Sequence, residues 1–351
     1  MGKDPQSSPE ADAAGTAPGE PGSMRRLRRL AGHLSPAGPD DSTAAAGNLL
    51  KDPWPPAVVA PRCSVAVTVS EVAAAAAISR EPYSEAGGVS LRLIGATEAW
   101  VEYPELGWGR GQTIACLDDG CDLSAEEWRY SKSSDGGAKV AATFNSIDGN
   151  DDCTPVPPGY HGTSVGFPSS LNHDGKHGLA FNDRVAQVRC CSIVHLGDAR
   201  ATATLAEEAV TMAAALEWVA RNRERLNITA VNFSMLDNVQ HRNADYATAI
   251  NGPLAALREA GVWVSAPCGN NHHTGGISWP ACATDCFGIG ATDPGTGKVH
   301  LDRWPNAALL VPAEATSSSN ALAAAASMVL REAVQLAGVM SSFFLGGVNR
   351  K

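Results

Sequence analysis

The chain has 351 residues, 44% of them hydrophobic and 18% charged, which suits one large domain with tails. Its 27 basic residues against 37 acidic ones give a formal charge of −10, which disfavours nucleic acid and anionic membrane as partners, because both select a basic face. No run reaches the roughly 18 apolar residues needed to cross a bilayer. The early Arg25-Arg26-Leu27-Arg28-Arg29 is followed by Ala31-Gly32-His33 and not by the apolar core of a signal peptide, so a cytoplasmic location is the default expectation.

Residues 1–60 are rich in Pro, Gly, Ala and Ser without hydrophobic periodicity and read as a disordered tail. Residues 61–110 hold a short apolar run and an Ala-rich stretch, read as an N-terminal arm packed on the domain or a vestigial pro-segment. Over 111–351 the pattern changes, with strand-length apolar runs at 113–117, 185–191, 228–234, 262–267 and 287–291. Helical stretches at 202–225, 253–260 and 317–334 alternate with them. Continuous apolar strands between helices predict an α/β fold of three layers, with a mostly parallel central sheet covered on both faces. In such sheets ligands gather at the C-terminal strand ends. The nine cysteines fall mostly in apolar runs and read as core thiols. Cys282 and Cys286 are left open between a bridge and two free thiols.

Four motifs meet the strand-end criterion. Asp118 follows the strand at 113–117 and precedes Gly120, where a carboxylate either orients a histidine or merely makes a turn. His161 opens a helical stretch in Gly159-Tyr160-His161-Gly162-Thr163-Ser164-Val165-Gly166. Asn270 follows the strand at 262–267 and Gly269, placed to donate to a developing oxyanion or to form an Asx turn. Ser317 begins the Ala-rich helix, which suits an N-cap or a nucleophile favoured by free N–H groups at the helix start.

Taken together and in that order, the motifs resemble the subtilases, the subtilisin-like serine proteases. Ile114 to Asp122 resembles V-A-V-L-D-T-G-I-D, and His161 to Gly166 resembles the start of H-G-T-H-V-A-G. Gly178-Leu179-Ala180 is similar to G-V-A-P, Val231 to Met235 to I-N-M-S-L, Ala266 to Asn270 to A-A-A-G-N, and Ile289 to Asp293 to V-G-A-x-D. The resemblance implies a serine-type endopeptidase acting on peptide or protein substrates without a cofactor. It assigns Asp118, His161 and Ser317 as triad, Asn270 as oxyanion donor, and Ser234, Met235, Leu236, Ala266 and Gly269 as groove. It also implies surface calcium for many members. Asp122, Glu127, Asn172 and Asp174 stand in comparable places, but their spacing names no ligand set.

Departures from the pattern are concentrated near the nucleophile. G-T-S-M-A-S-P becomes Ala315-Thr316-Ser317-Ser318-Ser319-Asn320-Ala321, so an alanine is expected to strain the turn if its position needs positive φ. Ser164 replaces the second His, and the Asp293–Ser317 stretch is short. These changes keep open a catalytically silent binding protein on the same fold.

Another reading takes Gly162-x-Ser164-x-Gly166 as the nucleophile elbow of an α/β-hydrolase esterase, with Asp237 and His241 or His272 as partners. That elbow needs an apolar strand before it, and Pro155-Val156-Pro157-Pro158 precedes. Gly107 to Gly111 precedes a strand, the wrong order for a dinucleotide loop. His173 with His177, and His272 with His273, read as surface pairs and not as metal ligands.

Overall fold

The computed structural model describes residues 81–82, 85–157, 159–191, 205–242, 248–303 and 307–336. The expected tail at 1–60 and Cys63 lie outside the described residues. The chain enters through a short strand β1 (Glu81–Pro82) and helices α1 (Glu85–Leu93) and α2 (Ala96–Glu102). Strand β2 (Thr113–Asp118) follows, then α3 (Glu126–Tyr130), β3 (Val140–Asn145), α4 (His161–Val165), α5 (Phe167–Ser170) and the β4 (Asn172–His173) and β5 (Lys176–His177) hairpin. Next come β6 (Arg184–Arg189), α6 (Leu205–Leu226), β7 (Ile228–Phe233), α7 (Asn251–Glu259), β8 (Trp263–Pro267) and β9 (Phe287–Thr292). Strands β10 (Val299–His300) and β11 (Ala307–Pro312) and helix α8 (Thr316–Leu336) complete the order.

The main sheet runs β10-β9-β8-β7-β2-β6-β3, with β11 also paired to β9. Every pairing in it is parallel except β10 with β9. Strand β2 explains why the order is stable. All six of its residues are buried, and successive side chains must point to opposite faces. Ala115 and Leu117 join Met212, Leu216 and Val219 of α6 on one face. Ile114 and Cys116 join Ala324 and Met328 of α8 on the other. The run Ala321 to Ala325 in α8 is buried throughout, and its small side chains let that helix lie close against the sheet. These are the three layers expected from the sequence.

Trp100, Trp108 and Leu91 pack with Leu179, Phe181, Leu322 and Ala325 in a separate cluster, so α1 and α2 share a core with α8. The Glu332 carboxylate accepts from the Gly107 and Gly109 backbone and ties the approach to β2 to the same helix. All eight cysteines among the described residues are buried free thiols, Cys282 and Cys286 included. No helix among the described residues is long and apolar enough to cross a membrane.

One ion pair is sealed in this core. Lys139 and Asp183 are both fully buried, with Nζ 2.6 Å from Oδ1. Nζ also donates to the Phe181 and Asp183 carbonyls, and Ser170 Oγ donates to Asp183 Oδ2. Burial pushes the Lys139 pKa down and the Asp183 pKa up to about 6, with the partner charge opposing each shift. Removing one partner strands the other charge, so Asp183→Ala costs about 3–5 kcal/mol, read from urea unfolding. The double replacement Lys139→Met with Asp183→Leu recovers most of that loss. A cost under about 1 kcal/mol for the single change would mean that water or another group reaches the lysine.

Candidate active site

Strand β2 ends on Asp118, 1% exposed, whose carboxylate is turned toward α4. His161 is the first residue of α4. Its Nδ1 lies 2.8 and 2.9 Å from the two Asp118 oxygens. A carboxylate accepts only, so Nδ1 carries a proton, and in the neutral ring Nε2 keeps its lone pair. Two backbone segments pack against each other to give this distance. A Cβ at Gly162 would collide with the Gly120 carbonyl and with Cβ of Asp118, so only glycine lets α4 approach the β2 turn.

Asp119, next in the chain, supports the start of α4. Its oxygens accept from the His161 and Gly162 N–H groups at 3.3 and 2.8 Å, serving donors that have no acceptor inside a helix. Burial and then the neighbouring Asp118 charge raise its pKa to about 6. Burial of the His161 ring works against its charged form. The Asp118 charge and hydrogen bond, with a contribution from Asp119, outweigh it and raise the His161 pKa above its ordinary value.

The second half of the site comes from β8 and α8. Asn270 Oδ1 accepts from both the backbone N and the Oγ1 of Thr316, at 2.9 and 2.8 Å. With its oxygen held there, the amide nitrogen has no hydrogen-bond partner among the described residues and faces the other way. Ser317 follows Thr316 in the first turn of α8, where backbone N–H groups lack intrahelical acceptors. Asp302, fully buried, holds the loop that carries Asn270, accepting from Asn271 N at 2.7 Å and His273 N at 2.9 Å. Gly269 takes φ 120°, and a side chain there would run into the Asp302 carboxylate.

The two halves meet in one cavity of about 610 Å³, lined by His161, Asn270 and Ser317 among others. Ser317 is 5% exposed. No hydrogen bond among the described residues joins it to His161. Catalytic contacts are commonly open without substrate and tighten once it binds. Ala315 is not among the residues with positive φ, so the expected strain at the lost glycine is absent.

Other sequence expectations fare differently. Ser234, Met235 and Ala266 are buried, with Met235 and Ala266 in the main core and Ser234 Oγ donating to Asn232. With half-buried Leu236 and with Gly269 they stay outside the lining of this cavity. Of these only Ala266 lies on a strand; Ser234, Met235 and Leu236 follow β7, and Gly269 follows β8. Ser164 lies inside α4, with no strand before it, and its Oγ donates to the His161 carbonyl. The Asp237 and His241 pair is formed, at 2.6 Å, yet no hydrogen bond links it to Ser164. Asp122 is occupied by Ser124, and Asn172 donates to Lys132. No group of three or more His, Cys, Asp or Glu side chains among the described residues is placed to hold a metal ion. Asp122, Glu127 and Asp174 form no such group.

No family model matches the chain. A cuticle-degrading serine protease of Orbilia oligospora is 24% identical over 204 residues, covering 58% of this chain and 41% of that protein. Subtilisin-like protease 3 of Pseudogymnoascus destructans is 28% identical over 201 residues, 56% of this chain and 42% of that one. The structure of the prenylagaramide maturation protease PagA superposes with a TM-score of 0.50 at 16% identity, covering 70% of this chain and 82% of the other.

The chain has a subtilisin-like fold. It spans about two-fifths of the length of the curated relatives it matches. Asp119, Thr316 and Asp302 support the candidate site, and none of them was assigned from the sequence. The first two stand beside assigned residues, so adjacency was their only signal. Asp302 is about 30 residues from the loop it holds, and nothing local marks it.

Proposed function

We propose that this chain is a serine endopeptidase that cuts peptide bonds with Ser317 as nucleophile, His161 as base, Asp118 as orienting acid and Asn270 as oxyanion donor. The observation that carries the reading is the buried Asp118 carboxylate gripping His161 Nδ1, on a cavity that Ser317 and Asn270 also line. In this mechanism Ser317 Oγ bonds to the scissile carbonyl carbon while its proton passes to His161 Nε2. The carbonyl oxygen takes up negative charge and meets the Asn270 amide and the Ser317 N–H. As the C–N bond breaks, His161 returns the proton to the leaving amine. Water, deprotonated by the same nitrogen, then releases the acyl group and regenerates Ser317.

A fluorophosphonate probe tests the assignment, applied to the parent protein and to the Ser317→Ala, His161→Ala and Ser164→Ala variants, with the modified residue mapped by mass spectrometry. The expected label sits on Ser317, is lost in the first two variants and survives in the third. Label on Ser164 would transfer the nucleophile to α4. A folded protein that takes no label would favour the silent binding protein, the reading that the altered Ala315–Ala321 segment also motivates.

A further inference from the structure

The cavity that holds Ser317 is bordered by an uneven set of charges. Glu126 and Glu127 open α3, Asp174 sits at the β4–β5 turn, and Glu314 comes three residues before Ser317; all four line it. Lys176 is the one lysine or arginine among the lining residues. With histidines neutral, the lining carries a formal charge of −3. Glu126 is partly engaged, 3.3 Å from His173 Nε2. No salt bridge to Glu127, Asp174 or Glu314 is formed among the described residues.

A second observation concerns what these charges surround. Ser317, 95% buried by its 5% exposure, offers an unpartnered hydroxyl to the same space, and Asn270 offers an unpartnered amide nitrogen. A ligand that reaches Ser317 must therefore place its neighbouring groups among these carboxylates. Clefts lined by one sign of charge between low-dielectric walls concentrate the opposite charge and speed its arrival by on the order of 10-fold or more. The buried Leu171 and the half-buried Phe167 also line the cavity.

We propose that this cavity selects substrates with a lysine or arginine side chain flanking the bond to be cut. The proposal rests on Ser317 being the nucleophile and adds to that reading the chemical class of the substrate. Glu127, Asp174 and Glu314 supply the selection. No hydrogen bond or salt bridge among the described residues joins them to Asp118, His161, Ser317 or Asn270, so charge preference can be read apart from the chemistry.

The test uses three phosphonate probes of one scaffold, with a lysine, a glutamate or an alanine side chain beside phosphorus. Second-order rate constants for Ser317 modification are measured in low salt and in about 1 M salt, where the screening length falls to about 3 Å. The same is done for the Glu127→Gln, Asp174→Asn, Glu314→Gln triple variant. The lysine probe is expected to react roughly 10-fold or more faster than the glutamate probe in low salt. That advantage, taken as the ratio of the lysine to the glutamate rate constant so that any common change in Ser317 reactivity cancels, should vanish in high salt and in the triple variant. If the alanine probe labels Ser317 and the lysine and glutamate probes react equally in low salt, the charge selection is wrong and the hydrolase reading stands. If none of the three labels the folded protein, the nucleophile assignment falls and takes this inference with it.

Discussion

Asp118→Asn is expected to lower kcat by about 10⁴-fold and to move the acid limb of the kcat/KM profile to lower pH. The size follows from the two short contacts between His161 Nδ1 and the Asp118 oxygens. An amide can present its NH₂ to Nδ1, which then keeps a lone pair and leaves the proton on Nε2, where Ser317 needs a base. The direction of the shift follows from the causes at His161. Burial disfavours the imidazolium, and Asp118 with a smaller share from Asp119 overrides it, so the parental pKa is raised. The base works only when neutral, so parental activity climbs through that raised pKa as pH increases. With Asp118 neutralised, burial is opposed by Asp119 alone, and the midpoint falls. Asp119, held up to about 6 partly by the Asp118 charge, shifts in the same direction. A pH series on the variant with a small amide substrate reads both effects. An acid limb that stays in place would assign the titration to a group other than His161.

Asn270→Ala should lower kcat by about 10²- to 10³-fold, or about 2.7–4 kcal/mol of barrier, with little change in KM. Its amide oxygen is fixed by Thr316, so the nitrogen is already oriented when charge develops and no reorganisation is needed during the reaction. Asn270→Asp makes the sharper comparison. It keeps an oxygen for Thr316 and so keeps the loop, but it replaces the donor with a negative charge. If Asn270 acts on the oxyanion, Asp is at least as damaging as Ala. If Asn270 only braces the helix start, Asp restores activity, and a kcat near the parental value would end the oxyanion assignment.

Much of this architecture could be read from residue order. The strands at 113, 185, 228, 262 and 287 are central and buried, so their apolar runs are unbroken, and the sheet places them side by side. Strands β3 and β11 escaped because they lie away from the sheet centre. Most of β3 is only half buried and Thr143 interrupts its run, while β11 is apolar throughout but turns Leu309 and Leu310 outward. Helices α4 and α5, at five and four residues, are too short to display a 3.6-residue period. At the site, Asp118, His161, Asn270 and Ser317 were visible because each ends a strand or begins a helix. The Asp302 clamp on the Asn271 and His273 backbone was not, since a contact across that sequence distance leaves no local pattern. The groove positions lie at or just past the ends of β7 and β8, outside the lining of the cavity, and the resemblance that named them does not say which of their side chains face outward.

The cavity also divides the site into two separately bonded halves. Asp118 and His161 are locked together on one wall and Asn270 and Thr316 on the other, and no hydrogen bond among the described residues crosses from one pair to the other. On this geometry the two walls can be disturbed one at a time: a change that unseats His161 from Asp118 leaves the Asn270 and Thr316 contacts in place, and the reverse holds as well.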